Sequence, residues 1–281
     1  MNKSLKPLWK NVAHSWNNYG PPIRPCEEDI SIMEKVVAKW TRFPGQTLRA
    51  VLWGVTPEIA DMEWPYGTEL LAIERSEDMV REVWPGDIDG FRRAFCCNWL
   101  DAYSVIKSPV SIVIGDGCFS IYNYPGDYRA LFAVANQVLK EPGIFIMRFF
   151  LRPETRESPD KVIRELMENR IGNFHVFKFR LAMALQENAQ KGVRHHDIWQ
   201  TWKDAPIETD ELMKITGWRK EAISTIDLLE GFNTRLSFPT YTELKPVFSD
   251  IFSEIDMTVP KYEMGERFPI LVFQKKEKNN P

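Results

Sequence analysis

Short apolar runs alternate with segments of helical periodicity over the first half of the chain, and this alternation restricts the fold more than any other feature. A short apolar run between turn residues is typical of a strand buried on both faces, and strands that alternate with helices form a mainly parallel sheet. The sequence therefore predicts an α/β fold. Strands are expected at 48–53, 69–73, 94–97, 111–114 and 144–150, and helices at 76–84 and 127–140, the second of which is expected to stop at LKEPG.

The pattern changes after Arg152. Roughly ninety residues, from 153 to 240, read mainly as helices without a clear strand, including FHVFKFRLAMALQEN and TDELMKITGW. Thr240 and Glu243 then fit a capping box for a helix predicted to run to Phe252, and SEIDMTV and FPILVFQKK follow as two closing strands. We divide the chain into an N-terminal helical arm (1–45), a sheet-forming core (46–152), a helical insertion (153–240) and a C-terminal helix with a strand hairpin (241–281).

Composition excludes several classes of protein. With 281 residues and a hydrophobic fraction of 44%, the chain is long enough for a sizeable core. No apolar run is long enough to span a bilayer, and MNKSLKPLWK lacks the apolar centre of a signal peptide, so we expect a cytoplasmic protein without a membrane partner. A formal net charge of -3, with basic residues concentrated only in the tail QKKEKNNP, argues against nucleic acid as a partner. The four cysteines match neither a disulfide scaffold nor a zinc site: Cys26, Cys96, Cys97 and Cys118.

The sequence AVLWGVTPE combines a buried strand with a sharp turn and a helix start. Gly54 lets the backbone turn where a side chain would obstruct it, Thr56 suits an N-cap, and Pro57 suits the first helical position. Unpaired N–H groups at such a helix start suit an anionic ligand. An ordinary strand-to-helix turn is the alternative.

The order of AVLWGVTPE, LLAIERSEDM, CCNWLD, SIVIGDGCFS, VLKEPGIFIMRFF and a final pair of strands resembles the class I S-adenosylmethionine-dependent methyltransferases. The resemblance covers about 48–152 and 241–275. It implies a Rossmann-like, seven-stranded mixed sheet whose last strand is antiparallel, with S-adenosyl-L-methionine across the carboxyl ends of the first strands. The core would then bind the cofactor, and the helical insertion would form a substrate cap or a dimer contact.

The first motif departs from the family pattern. The family has an acidic residue two positions before its first glycine and two further glycines, where this chain has Leu52, Thr56 and Glu58. We hypothesise that Glu58 holds the ammonium of the cofactor from the other side of the loop, while Thr56 binds its carboxylate. Alternatively, Glu58 only favours the helix dipole.

The resemblance implies further contacts to the cofactor. Glu74 follows the strand ELLAI, where an ionised carboxylate can accept both hydroxyl protons of a ribose, although a solvated surface glutamate is the alternative. Met79 would contact the adenine or belong to the core, and Asn98 and Trp99 would contact the base edge. The predicted cofactor residues are Gly54, Val55, Thr56, Pro57, Glu58, Glu74, Arg75, Met79, Asn98, Trp99, Gly115, Asp116 and Gly117.

The segment IVIGDGCFS places Asp116 between two glycines directly after a strand. An acidic group there would favour the positive charge of a sulfonium, and the resemblance implies that 115–117 line the channel where the methyl group meets its acceptor. A plain turn is the alternative.

Methyl transfer needs alignment, exclusion of water and sometimes a base. Aromatic rings can attract a cation and position a substrate, although each is also a candidate for the core. The predicted substrate residues are Trp16, Tyr19, Tyr122 and Tyr124, and the predicted catalytic residues are Asp116, Tyr122 and His14, the last as a base if the arm closes over the site.

The remaining histidines are less informative. RHHDIW places His195, His196 and Asp197 together, but adjacent helical side chains point in different directions, so no metal site is predicted. His175 begins a strongly apolar helix and is interpreted as structural.

The sequence thus predicts an S-adenosylmethionine-dependent methyltransferase with a small-molecule acceptor, and a homodimer is possible. A protein that binds the cofactor without turnover is one alternative, because the first motif is degenerate. An NAD(P)-dependent oxidoreductase is another, but G-x-G-x-x-G is missing after the first strand.

Overall fold

The computed structural model describes residues 6–41 and 47–276, so the predicted boundary at 45/46 and the end of the basic tail lie outside the described residues. The strands are β1 Arg49–Trp53, β2 Glu69–Glu74, β3 Arg92–Cys96, β4 Val110–Asp116, β5 Leu139–Arg148, β6 Val193–Arg194, β7 Arg235–Leu236, β8 Phe252–Thr258 and β9 Ile270–Lys275. The helices are α1 Lys6–His14, α2 Glu27–Trp40, α3 Pro57–Ala60, α4 Glu77–Glu82, α5 Gly126–Val138, α6 Pro159–Met167, α7 Phe174–Leu185, α8 His195–Lys203, α9 Thr209–Thr216, α10 Lys220–Ser224 and α11 Tyr241–Phe248. Over these residues, no helix has both the length and the apolar character needed to cross a membrane.

The central sheet has seven strands in the order β3-β2-β1-β4-β5-β9-β8. Strands β1 to β5 pair in parallel, whereas β9 runs antiparallel to both of its neighbours, β5 and β8. This confirms the predicted Rossmann-like mixed sheet with an antiparallel last strand. Because the chain leaves β1 towards β2 and later returns to β4 on the other side, the carboxyl ends of β1 and β4 form a topological switch point.

Strand β1 is buried on both faces, as its continuous apolar run predicts. Val51 and Trp53 pack into a cluster rich in aromatic rings, whereas Ala50 and Leu52 pack into an aliphatic cluster with α2 on the opposite face. Full burial of each large side chain contributes about 1.5–3 kcal/mol to folding. The buried strand therefore fixes the position of the turn that follows Trp53.

The insertion has its own apolar core, in which Phe174 and Phe177 of α7 contact Trp202 of α8. It is mainly helical, as predicted, but the expectation that it lacks strands is wrong, because β6 and β7 form an antiparallel pair. Each strand has only two residues, too few to show the alternation that identifies a strand in a sequence. Ser237 fastens this pair to the core, since its N–H donates to the Ser120 carbonyl at 2.8 Å and its own carbonyl accepts from Tyr128 at 2.8 Å.

Two predicted helix ends are also wrong. Helix α5 stops at Val138, and LKEPG belongs to the start of β5. The register with β4 jumps between Leu139 and Ile144, so the residues between them form a bulge that accommodates Pro142 without a ladder hydrogen bond. Helix α11 has the predicted capping box, but it ends at Phe248 instead of Phe252, because Phe252 is the first residue of β8.

Candidate functional site

A cavity of about 590 Å³ opens at the carboxyl ends of β1, β2 and β4. Its walls come from the N-terminal arm, from the loops after these strands and from the insertion, including Trp16, Glu74, Asp116 and His195. The volume falls within the range of small-molecule sites, roughly 300–1,000 Å³, and the place is where open α/β sheets bind ligands.

The turn after β1 reaches this cavity through Gly54, Val55 and Thr56. Gly54 has a φ of +97°, a conformation that strains any residue with a Cβ, and its N–H donates to the Ile73 carbonyl at 2.8 Å. Thr56 occupies the N-cap position, but its side chain accepts no capping hydrogen bond. The Thr56 hydroxyl is therefore available to a ligand.

Glu58 does not line this cavity. Its Oε1 accepts from Arg24 Nε at 2.7 Å, the Arg24 guanidinium lies 5.1 Å from the Trp16 ring centroid, and neither Pro57 nor Glu58 is among the residues that line the cavity. Because Arg24 already neutralises the carboxylate, the geometry does not support Glu58 as a substitute anchor for an ammonium. The pattern of the sequence could not show this pairing, since the partner lies 34 residues earlier.

Glu74 ends β2 in the cavity wall, together with Arg75 and Met79. Burial raises the pKa of the Glu74 carboxyl to about 7, although hydrogen bonds from the backbone N–H groups of Ser76 and Arg75 and the charge of Arg75 oppose the shift. The Ser76 bond measures 2.7 Å. The backbone hydrogen bonds thus hold the Glu74 carboxylate in place. Hydroxyl groups of a ligand that donate to this carboxylate would lower its pKa.

Asn98 and Trp99 lie side by side in the wall beyond β3. The Asn98 Oδ1 accepts from the Tyr122 hydroxyl at 2.9 Å and from the Leu100 N–H at 3.3 Å, which leaves the side-chain amide N–H groups for a ligand. Trp99 donates to the Ile73 carbonyl at 2.6 Å and stacks on Trp53. Burial raises the pKa of the Tyr122 phenol, so Tyr122 stays neutral and orients Asn98.

Asp116 lies in the wall at the end of β4 and is held by Arg148, whose side chain is 0% exposed. Arg148 Nε donates to Asp116 Oδ1 at 2.6 Å and Nη2 to Oδ2 at 3.1 Å, while Nη1 donates to Asp29 Oδ2 at 3.2 Å and lies 3.1 Å from the Tyr262 hydroxyl. Burial raises the pKa of Asp116 to about 6 against the effect of Arg148. Two carboxylates share one guanidinium, so the acidic groups of this cluster outnumber its basic group.

A side chain at either glycine beside Asp116 would meet close contacts. A Cβ on Gly117 would lie 2.5 Å from the Phe150 ring, and its φ is +63°. A Cβ on Gly115 would lie 2.7 Å from Met147. Gly117 lines the cavity, whereas Gly115 is packed behind it in the sheet.

The aromatic and histidine candidates separate into two groups. Trp16, Tyr19 and Tyr122 line the cavity. Tyr124 instead donates to the Glu243 carbonyl at 2.8 Å, and His14 is exposed at the end of α1, so the structure brings neither to the cavity wall. His175 packs against Tyr19 behind the wall, where burial lowers its pKa to about 3 and keeps it neutral.

Sequence reasoning assigned no site residue to the insertion, although several of its residues line the same cavity, among them Lys178 and His195. His195 Nδ1 lies 2.8 Å from the Thr234 carbonyl, which only accepts hydrogen bonds, so Nδ1 carries the proton. Nε2 keeps its lone pair and has no hydrogen-bond partner in the described chain. Burial lowers the pKa of His195 and thereby maintains this neutral form.

The neighbours of His195 make unrelated contacts. His196 accepts from the Gly231 N–H at 3.1 Å, and Asp197 pairs with Arg194 at 2.5 Å. Within the described ranges, no group of three residues of metal-binding type comes together. A lysine among the mostly apolar residues of α7 was the signal that could have drawn attention to this end of the cavity.

Comparison with known proteins identifies the fold. No protein-family model and no curated protein sequence matches the chain. The N-methyltransferase NodS from Bradyrhizobium japonicum WM9, in complex with S-adenosyl-L-homocysteine, superposes with a TM-score of 0.50 at 7% identity, covering 96% of this chain and 99% of that chain. The CurJ carbon methyltransferase superposes with a TM-score of 0.54 at 10% identity, covering 98% of this chain and 61% of that chain. A Rhodobacter sphaeroides protein described as a putative Zn-dependent alcohol dehydrogenase superposes with a TM-score of 0.57 at 8% identity, covering 99% of this chain and 100% of that chain.

Identities this low establish the fold alone. The strand order and the antiparallel last strand are those that the class I methyltransferase resemblance implies, and methyltransferases of known structure superpose over almost the whole chain. The protein therefore has the Rossmann-like fold of the class I methyltransferases.

Proposed function

We propose that the protein is an S-adenosylmethionine-dependent methyltransferase that acts on a small-molecule acceptor. The observation that carries the proposal is one cavity that is lined both by residues at the strand ends, Glu74, Asn98 and Asp116, and by His195 of the insertion. A cofactor at the strand ends and an acceptor under the insertion would meet beside Asp116.

The residues at the strand ends fit the cofactor. Glu74 offers a carboxylate for ribose hydroxyls, Asn98 offers amide donors for the adenine edge, and Thr56 offers a free hydroxyl beside Gly54. When bound, the cofactor supplies an activated methyl group on a positively charged sulfur. The negative cluster around Asp116 favours that charge electrostatically.

The insertion supplies the acceptor end. The fixed tautomer of His195 leaves Nε2 free to accept the proton that a hydroxyl or amine acceptor loses. Trp16 and Tyr19 of the arm close the same cavity, and they exclude water from a reaction that needs mainly alignment. His195 replaces His14 as our candidate for the base, since His14 does not reach the wall.

Thermal unfolding tests the cofactor assignment directly. S-adenosylmethionine and S-adenosylhomocysteine should each raise the melting temperature, with about 2.7 kcal/mol of stabilisation at a hundredfold excess over the dissociation constant. NAD(P)H serves as the comparison. Stabilisation by the dinucleotide alone would contradict the proposal and support an oxidoreductase.

Turnover is tested with S-adenosylmethionine that carries a radioactive methyl group and a panel of small-molecule acceptors. His195 is supported as the base if a His195→Gln variant transfers less label than the wild type but binds S-adenosylhomocysteine with unchanged affinity. Tight cofactor binding without transfer to any acceptor would support a regulatory protein instead.

A further inference from the structure

Lys178 is a buried cation without an acidic partner. It lies on α7 in the cavity wall and is 8% exposed. Its Nζ donates to Thr225 Oγ1 at 3.1 Å and lies 4.8 Å from the Tyr19 ring centroid. The Thr225 hydroxyl donates its own proton to the Ala222 carbonyl at 2.7 Å, so it accepts from Lys178. Over residues 6–41 and 47–276, no carboxylate forms an ion pair with this ammonium.

The same helix shows what a structural cation looks like in this protein. Arg180, two positions further along α7, pairs with Glu157 at 2.6 Å and with Glu165 at 2.7 Å. Arg267 also pairs with Glu157. The chain thus supplies carboxylates to the buried guanidinium groups of Arg180 and Arg267, whereas the Lys178 ammonium lies in the cavity wall without one.

An unpaired buried ammonium is costly, because it has lost its hydration and gained only one hydrogen bond and one aromatic face. Burial lowers the pKa of Lys178 to about 7, so the group is charged only part of the time near neutral pH. An apolar residue would serve the packing of α7 better. The lysine is therefore explained by a ligand rather than by the stability of the fold.

Charge is distributed unequally along the cavity. Its sheet end carries Glu74, the Asp116 cluster and Asp127 in the first turn of α5, with Arg75 as the cation beside them. Its insertion end carries Lys178 and Arg235. A cationic group is favoured at the first end and an anionic group at the second.

We propose that Lys178 binds a carboxylate of the methyl acceptor, and hence that the acceptor is a small organic acid. The term acceptor rests on the proposed function, whereas binding of an organic anion at Lys178 does not. Phe179, Ile198 and Leu229 line the same region and would contact an apolar body attached to the carboxylate.

The test compares matched acids and amides, which differ in charge but hardly in shape. The probes are hexanoate with hexanamide, benzoate with benzamide, and 4-hydroxybenzoate with 4-hydroxybenzamide, each up to 10 mM, with thermal unfolding as the readout. Measurements are made with and without S-adenosylhomocysteine. We expect at least one acid to bind the wild type roughly tenfold or more tightly than its amide, the preference typical of a charge-assisted hydrogen bond.

The variant Lys178→Met keeps the length of the side chain and removes the charge. It should bind the acid and the amide of each pair equally. Lys191→Met is the matched control, because Lys191 lies on the insertion surface in an exposed pair with Glu187, and it should retain the preference of the wild type.

The outcomes separate this inference from the proposed function. If no acid binds the wild type better than its amide, the carboxylate assignment is overturned, and this result needs no variant. If the preference survives in Lys178→Met, the assignment is overturned as well. If S-adenosylhomocysteine gives no stabilisation while an acid still binds at Lys178, the proposed function fails and the anion site stands.

Discussion

Glu74 makes the affinity for the cofactor depend on pH if it binds the ribose. Burial raises its pKa to about 7 in the free protein. Hydroxyl donors favour the ionised form, so the ligand lowers this pKa on binding and a proton is released. Affinity is therefore full above pH 7 and is lost as the pH falls through the pKa of the free carboxyl.

The magnitude follows from that pKa. If only ionised Glu74 binds, the apparent dissociation constant of S-adenosylhomocysteine rises about tenfold between pH 8 and pH 6, which corresponds to about 1.4 kcal/mol. Asp116, whose pKa burial raises to about 6, contributes about twofold over the same interval if it too must be ionised.

Titration calorimetry from pH 6 to 8 measures both effects. Glu74→Gln should weaken binding by roughly 1.5–3 kcal/mol at pH 8 and reduce the pH dependence to the twofold change left by Asp116. Repeating the titration at pH 7 in two buffers of different ionisation enthalpy should show proton release from the wild type and much less from the variant. Affinity that is independent of pH in the wild type, or a tenfold change that persists in the variant, would refute the reasoning.

Three further substitutions test the packing of the site. Glu58→Gln should lower the free energy of unfolding by about 0.5–1.5 kcal/mol, because the contact with Arg24 loses its charge. The same variant should bind S-adenosylhomocysteine as tightly as the wild type. A loss of about 1–3 kcal/mol in binding free energy would instead support Glu58 as the ammonium anchor. Arg148→Met should cost about 3–5 kcal/mol in urea unfolding, since it strands two buried carboxylates, and a loss below 1 kcal/mol would contradict the described network. Gly117→Ala should cost more than about 1 kcal/mol in the same assay, because of its positive φ and the Phe150 ring, and an unchanged midpoint would refute this.

Local patterns were enough to predict an α/β fold and the strands that end at the cavity, whereas the seven-stranded order with an antiparallel last strand came from the family resemblance. The apolar run ending at Trp53 predicts a strand buried on both faces, and Gly54 predicts the turn after it. Both predictions depend only on neighbouring residues, and both are confirmed. Glu74 was placed at the edge by the same reasoning, since a polar residue directly after a buried strand lies at its carboxyl end. Parallel pairing of β1, β2 and β4 then brings such ends together.

Contacts between distant segments could not be predicted from the sequence. The partner of Glu58 is Arg24, and Arg148 joins Asp116 to Asp29, which is 119 positions from the arginine. No periodicity carries that information, because each pairing depends on how the arm packs over the finished sheet. For the same reason LKEPG was mistaken for a helix stop, since pairing with β4 extends the strand through a bulge that local propensity disfavours.

The ion pairs also explain why the arm belongs to the site. Arg148 lies on β5, yet its guanidinium donates to the Pro22 carbonyl at 3.0 Å as well as to Asp29 at the start of α2. Arg24, between these two residues, reaches the turn after β1 through Glu58. The arm is thus fixed to β5 through Arg148 and to the turn after β1 through Glu58, and Trp16 and Tyr19 precede these fixed points along the chain. Trp16 and Tyr19 line the cavity, so their place in its wall depends on an arm that is held by the same Arg148 that binds Asp116.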